Sequence, residues 1–270
     1  MLDKRLPVST PQASLAAIRW VGFQTIVIRE FGRITRIWGQ TLLPAAVTTT
    51  LYFVIFGSVI GRRIGAMGGV DYRAYIAPGL IMMQLLTNSY ANVVSSFFGA
   101  KFGKHVEELL VSPLPDWIIV AGYVCGGLVR GCLVGLVVTI VSLIFASLAV
   151  THIWAIIAAA LLTSTVFSLA GFINAIFARN FDQVNWIPAF ILTPLTYFGG
   201  IFYSVSTLPP WAQKASLVNP ILYAVNAFRY GFLGISDVPV ETAFLLMAAL
   251  TVVLFYIAVA LLKRGVGTRD

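Results

Sequence analysis

Polar and charged residues in this chain gather in short clusters, and long uncharged runs separate them. A bilayer core of about 30 Å takes roughly 20 residues of helix, so runs of that length are the units to count. Six occur, at residues 42–60, 74–98, 117–148, 153–178, 186–203 and 242–262, and only Arg130 interrupts one of them. A further apolar stretch at 215–228 is too short to cross alone. It follows Leu208-Pro209-Pro210-Trp211 and contains Asn219-Pro220. Irregular backbone at membrane depth must be covered by protein, so this stretch is expected to form a re-entrant hairpin or an interfacial helix on the outer side, between spans five and six. The expected fold class is an all-α polytopic membrane protein with six transmembrane helices.

Residues 15–38 follow another pattern. Arg29, Arg33 and Arg36 recur at i, i+4 and i+7, while Val27, Phe31, Ile34 and Trp38 recur on the opposite side. This predicts an interfacial helix in the plane of the inner leaflet, its arginines toward headgroups and water and its apolar side toward acyl chains. Such a helix serves either as an anchor or as a lever that transmits motion.

Within the second span, Gln84, Asn88 and Asn92 stand four residues apart and share one helix face. Amides are costly in lipid, so this face is expected to turn inward, for interhelical hydrogen bonds or to line a substrate path. Tyr52, Tyr197 and Tyr203 are further candidates for that path, while aromatics at lipid interfaces also serve as ordinary anchors. Gly127, Gly131 and Gly135 form a small-residue stripe that lets backbones approach. Arg130 would cost about 2.5–3.5 kcal/mol at the bilayer centre and calls for a partner, with Asp182 or Glu108 the expected carboxylate. His105 and His152 fall near loops and are expected to be solvated.

The segment 101–113 between the second and third spans reads as a short amphipathic helix stopped by Pro113. A solvated connector has no use for Leu109-Leu110-Val111, whereas a docking helix presents apolar knobs flanked by charges. Lys104, Glu107, Glu108, Leu109, Leu110, Ser112 and Pro113 are the candidate contact residues.

Composition agrees with a lipid-covered chain: 59% of residues are hydrophobic and 10% charged, too few charges to cover the exterior of a soluble protein this long. The net charge of +8 comes from residues lying mostly in the gaps between spans, which suits anionic headgroups and argues against nucleic acid. With both termini inside, twelve basic residues lie inside against five outside, and Arg62 and Arg63 run against the bias. Residues 1–15 carry Pro7 and Pro11 and no continuous apolar run, so no cleaved leader is expected. Cys125 and Cys132 share one apolar segment, fit neither a zinc site nor a disulfide framework, and are assigned to helix packing.

The run Gly99 to His105 has one residue too few between its glycines for a P-loop and lacks the Ser or Thr after lysine. No catalytic set, metal site or bound cofactor is expected in this chain. An ion-coupled secondary transporter, the alternative, would carry ionisable residues at mid-depth, and only Arg130 comes near. A lipid-modifying enzyme would need a clustered acid, base or metal set near one interface.

Three runs are more specific than any of this. They are Ser95-Ser96-Phe97-Phe98-Gly99-Ala100-Lys101-Phe102 leading into Glu107-Glu108-Leu109-Leu110-Val111-Ser112-Pro113, then Leu192-Thr193-Pro194-Leu195-Thr196-Tyr197, then Phe228-Arg229-Tyr230-Gly231-Phe232-Leu233-Gly234-Ile235. In them, and over nearly its whole length, the chain resembles the permease subunits of ABC-2 type exporters, and within these the YadH-like permeases. The resemblance implies a cytoplasmic N-terminus and interfacial helix at 1–37, and a single permease domain at 38–262. That domain would hold a coupling helix at 100–113 and an outer re-entrant segment at 204–234, with a cytoplasmic tail at 263–270. It further implies a homodimer in the bacterial inner membrane, both termini cytoplasmic, joined to two copies of a separate ATPase that holds ATP and Mg2+. Residues 107–113 would meet that ATPase, and the first, second and fifth spans would face the dimer path. The expected activity is outward movement of an amphiphilic, lipid-linked or drug-like substrate.

Overall fold

The computed structural model describes residues 14–267. Lys4, Arg5, Pro7, Pro11 and Arg269, which enter the expectations about charge bias and leader, lie outside the described residues, as do the outer parts of segments 1–37 and 263–270.

Helix α1 (Leu15–Arg36) starts where Ser14 Oγ accepts from the Ala17 amide at 3.2 Å, satisfying one of the unpaired N–H groups of its first turn. Helix α2 (Trp38–Ile64) follows after Ile37 and contains a π-helical stretch, Phe53–Ile60. A small antiparallel hairpin, β1 (Ala66–Met67) and β2 (Val70–Asp71), then reverses the chain with register Ala66↔Asp71 and Met67↔Val70. Its two turn residues, Gly68 and Gly69, have φ of 61° and 81°, the left-handed values such a two-residue turn needs and glycine adopts freely. The Asp71 carboxylate accepts from the Arg73 amide at 3.2 Å and opens α3 (Tyr72–Phe102).

After α3 come α4 (His105–Val111), α5 (Asp116–Phe145) and α6 (Ile153–Phe177). Helix α7, residues 181–197, is built from three pieces with a π-helical turn, Pro188–Leu192, in the middle. A 3-10 turn (Val205–Thr207) and α8 (Pro210–Leu217) precede α9 (Pro220–Leu233). The ends of α9 follow ordinary capping rules. Asn219 Oδ1 accepts from the Ile221 amide at 3.0 Å, Pro220 occupies the first position, and Gly234 ends the helix at φ 70°. Helix α10 (Val240–Lys263) closes the fold.

The molecule is an all-α membrane protein. Among the described residues, α2, α5, α6 and α10 are long and apolar enough to cross a membrane. Helix α3 is as long, at 31 residues, but it is the central helix, with α5, α6 and α9 packed around it, and it carries the amide row. Two boundaries differ from expectation. The fifth apolar run begins its helix at Phe181 and ends it at Tyr197, so the pieces of 7, 5 and 5 residues span only about 25 Å. Pro188 and Pro194 withhold amide donors within it, and Gly200 turns the chain at φ 70° just beyond. The apolar stretch 215–228 is likewise not one segment. Helix α8 stops at Leu217 and α9 restarts at Pro220, because proline cannot continue the helix before it.

Close approach of α3, α5 and α6 depends on glycine. A Cβ on Gly131 would collide with Ser89 Oγ and lie 3.1 Å from the Leu85 carbonyl, so α5 rests on the α3 backbone itself. Cys125 and Cys132 are free, and Cys132 Sγ lies 3.9 Å from Ser164 Oγ of α6. The core has two centres. One joins Tyr75, Leu80 and Leu85 of α3 to Leu222 and Phe228 of α9, and the other joins Phe97 of α3, Tyr123 of α5 and Phe172 of α6 beneath α4.

Candidate functional site

Beyond Phe102 the chain turns through Gly103 and Lys104, the latter in the left-handed region at φ 58°. Helix α4 then runs for seven residues. Glu107 and Glu108 stand exposed in its first turn, where carboxylates favour the positive end of a helix. Val106 is buried in the core centre beneath, a contact that stabilises the helix by about 1.5–3 kcal/mol. Leu109 and Leu110, expected as projecting knobs, are half-buried against that same centre. Burial against the protein's own core takes them first, and the apolar residues left outside are Phe102 at 64% and Val111 at 87% exposure. Ser112 Oγ donates to the Leu109 carbonyl at 2.6 Å, so its hydroxyl closes α4. The surface presented at this end therefore includes Phe102, Lys104, His105, Glu107, Glu108, Val111 and Pro113, with His105 exposed as expected. Its base is tied to α6, since Lys101 Nζ donates to the carbonyls of Ile176 and Ala178, each at 2.7 Å.

Helix α1 meets the bundle through a residue that periodicity did not single out. Glu30 is 1% exposed. Its Oε2 receives Arg33 Nη2 at 3.1 Å and Asn92 Nδ2 at 3.4 Å, and its Oε1 receives Ser96 Oγ. Arg33 also donates to Asn92 Oδ1 at 2.7 Å, to the Asn92 carbonyl at 3.0 Å and to Ser95 Oγ at 3.2 Å. Arg29 Nη2 donates to the Tyr123 hydroxyl of α5 at 2.6 Å. Of the three arginines expected to face headgroups, Arg29 and Arg36 are exposed, although Arg29 reaches α5 with its guanidinium, while Arg33 turns toward α3. The apolar side divides too: Ile34 is buried, whereas Phe31 and Trp38 are exposed. Glycine makes the room. A Cβ on Gly126 of α5 would lie 2.8 Å from Glu30 Cβ. The available signal was that Glu30 is the single carboxylate in 15–38, three residues before Arg33.

Two expectations about lone basic groups are corrected. Arg130 is half-buried on α5 and, among the described residues, forms no ion pair with Asp182 or Glu108, both of which are exposed. Its Nε has no hydrogen-bond partner among the described residues either. Fourteen residues into α5 it stands about 21 Å from the start of that helix, too deep for loop carboxylates to reach. His152 is not solvated: its ring stacks on Tyr230 with centroids 4.4 Å apart, and Nε2 lies 3.3 Å from the Tyr230 hydroxyl.

The amide row of α3 is divided among different neighbours. Asn92 is fully buried in the contact with α1, and Asn88 Nδ2 donates to the Gln84 carbonyl at 2.9 Å. Gln84 faces a cleft of about 200 Å³ between α2, α3 and α7, lined also by Thr48, Tyr52, Thr87, Thr196 and Tyr197. Three of the candidate path residues, Tyr52, Gln84 and Tyr197, thus come together. Tyr203 stands beside them, its hydroxyl donating to the Tyr197 carbonyl at 2.8 Å, and Phe202 packs between Tyr52 and Tyr197. Both flanking helices, α2 and α7, contain a π-helical stretch, a conformation that recurs at functional sites.

The family model described as ABC-2 type transporter matches residues 21–233, from α1 through α9. Over 252 residues the chain is 52% identical to the inner membrane transport permease YadH of Escherichia coli strain K12, covering 93% of this chain and 98% of that protein. It is 25% identical over 265 residues to nodulation protein J of Neorhizobium galegae, covering 95% of this chain and 97% of the relative. To nodulation protein J of Rhizobium leguminosarum bv. viciae it is 25% identical over 229 residues, 83% of this chain and 87% of the relative.

Proposed function

Because this chain belongs to the ABC-2 type transporter family, we propose that it is the membrane permease subunit of an ATP-driven exporter in the bacterial inner membrane. The observation that carries this is α4. A short helix pinned by buried Val106 and by the Lys101 contacts to α6 holds a charged, partly apolar surface outward, as a docking element must. A separate ATPase, in two copies and holding ATP and Mg2+, would seat against it, and this chain itself would hold no cofactor. Six spans would then be α2, α3, α5, α6, α7 and α10, with both termini cytoplasmic and the α8–α9 segment re-entrant from the outer side.

ATP-driven closure of the ATPase pair would shift α4, and α3 would carry the displacement from one end of the bundle to the other. Helix α1 would travel with it through Glu30 and Arg33. The cleft of Tyr52, Gln84 and Tyr197, mixed in polarity and flanked by the exposed apolar sides of α2 and α7, suits an amphiphilic, lipid-linked or drug-like substrate passing between two copies of the chain.

Co-purification tests this. The tagged chain in mild detergent is expected to retain a cytoplasmic ATPase, and Glu108→Arg combined with Val111→Asp, both at exposed positions, to lose it. Retention of the ATPase by the double variant with unaltered ATP turnover, or no ATPase with either chain, would falsify the proposal.

A further inference from the structure

At the end of α3 remote from α4, a cavity of about 500 Å³ opens between the β-hairpin, α3, the 3-10 turn and the segment before α10. Arg229 lines it. This side chain is 1% exposed and its guanidinium lies 4.0 Å from the centroid of the Tyr75 ring. Nη2 donates to the Gly200 carbonyl at 2.6 Å. Nη1 stands 3.7 Å from Asp237 Oδ2, close enough for ion pairing but too long for a hydrogen bond. Among the described residues, both Nη1 and Nε are buried without a hydrogen-bond partner, an uncommon state for a buried donor.

Asp237 is in the opposite condition. It accepts from Ser204 Oγ at 2.6 Å, from the Val205 amide at 3.2 Å and from the Tyr75 hydroxyl at 3.5 Å. Ser204 Oγ is also 2.8 Å from Ser206 Oγ. Since Ser204 gives its proton to Asp237, Ser206 donates to Ser204 and keeps its own oxygen lone pairs open. The cavity is therefore lined by a guanidinium with surplus donors, an open acceptor on Ser206 and a carboxylate whose side chain is 20% exposed.

The charges of Arg229 and Asp237 cancel, and among the described residues no other charged residue lines the cavity. An oxyanion would add an uncompensated negative charge beside Asp237. Uncharged hydroxyl groups add none, and each can accept from Arg229 while donating to Ser206 or Asp237. Met67 and Ile235 supply apolar wall for the C–H faces of such a ligand. The volume is in the range of small-molecule sites. We infer that this cavity binds an uncharged polyhydroxylated group, a sugar ring or a short glycan. Binding there does not require export, so its test stands apart from ATPase capture.

The full chain in phosphatidylcholine nanodiscs, free of glycosidic detergent, is examined by saturation-transfer difference NMR with glucose, galactose, mannose, N-acetylglucosamine and maltose. At least one saccharide is expected to receive saturation that excess inorganic phosphate does not displace. Ser206→Tyr, which fills the cavity from an exposed position and leaves the core alone, should abolish that signal. Asp237→Asn should weaken binding about tenfold, the loss of one charge-assisted hydrogen bond. Silence from all five saccharides, displacement by phosphate, or a signal unchanged in Ser206→Tyr would overturn the inference.

Discussion

Glu30 and Arg229 are each about 1% exposed and occupy opposite ends of the bundle, and their surroundings differ in kind. Both Glu30 oxygens have donors, contributed by Arg33 and by Asn92 and Ser96 of α3. Arg229 keeps two nitrogens without a hydrogen bond beside an open cavity. A buried charge that is fully met holds two elements in one arrangement, while one that is partly met leaves free energy to be gained when a ligand arrives. On this contrast α1 is locked to α3 and α5 near the α4 end, and the far end is the one prepared to bind.

The largest expected effect comes from removing the met charge. Glu30→Ala takes from Arg33 its only carboxylate among the described residues and from Asn92 and Ser96 an acceptor, and breaking a buried pair in this way costs about 3–5 kcal/mol. Because Arg33 retains 29% exposure, the lower end of that range is expected, read as a fall in the thermal midpoint of the detergent-solubilised chain. An unchanged midpoint would mean that the lock carries no load. Gly126→Ala comes next, since its Cβ meets Glu30 Cβ and overpacking of this kind costs about 1–3 kcal/mol. Arg229→Leu should lose only about 1 kcal/mol: the contacts to Gly200 and Tyr75 and the long ion pair with Asp237 disappear, but Asp237 keeps its other donors and the burial of two unmet donors disappears too. A loss as large as that of Glu30→Ala would erase the contrast between the two ends. The smallest effect is expected for Tyr123→Phe, about 0.5–1 kcal/mol, because the ring keeps its edge contact with Phe97 and only the bond from exposed Arg29 is lost.

The sequence by itself determined where the long helices lie. Uncharged runs delimit α2, α3, α5, α6 and α10 to within a few residues, because helix length in lipid is set by bilayer thickness. Pro113 likewise marked the end of the short helix α4, whereas Asn219-Pro220, inside the apolar stretch 215–228, proved to be the break between α8 and α9. The tertiary structure decided what each face touches. Gln84, Asn88 and Asn92 form one stripe about 12 Å long, and periodicity has no means of showing that α1 stands at one end of it and an open cleft at the other. The same holds for α1, where the pattern gave a basic side and an apolar side. Glycines on α5 admitted Glu30 between helices, and its buried carboxylate then drew Arg33 inward, a choice made by a neighbour roughly one hundred residues away in the chain.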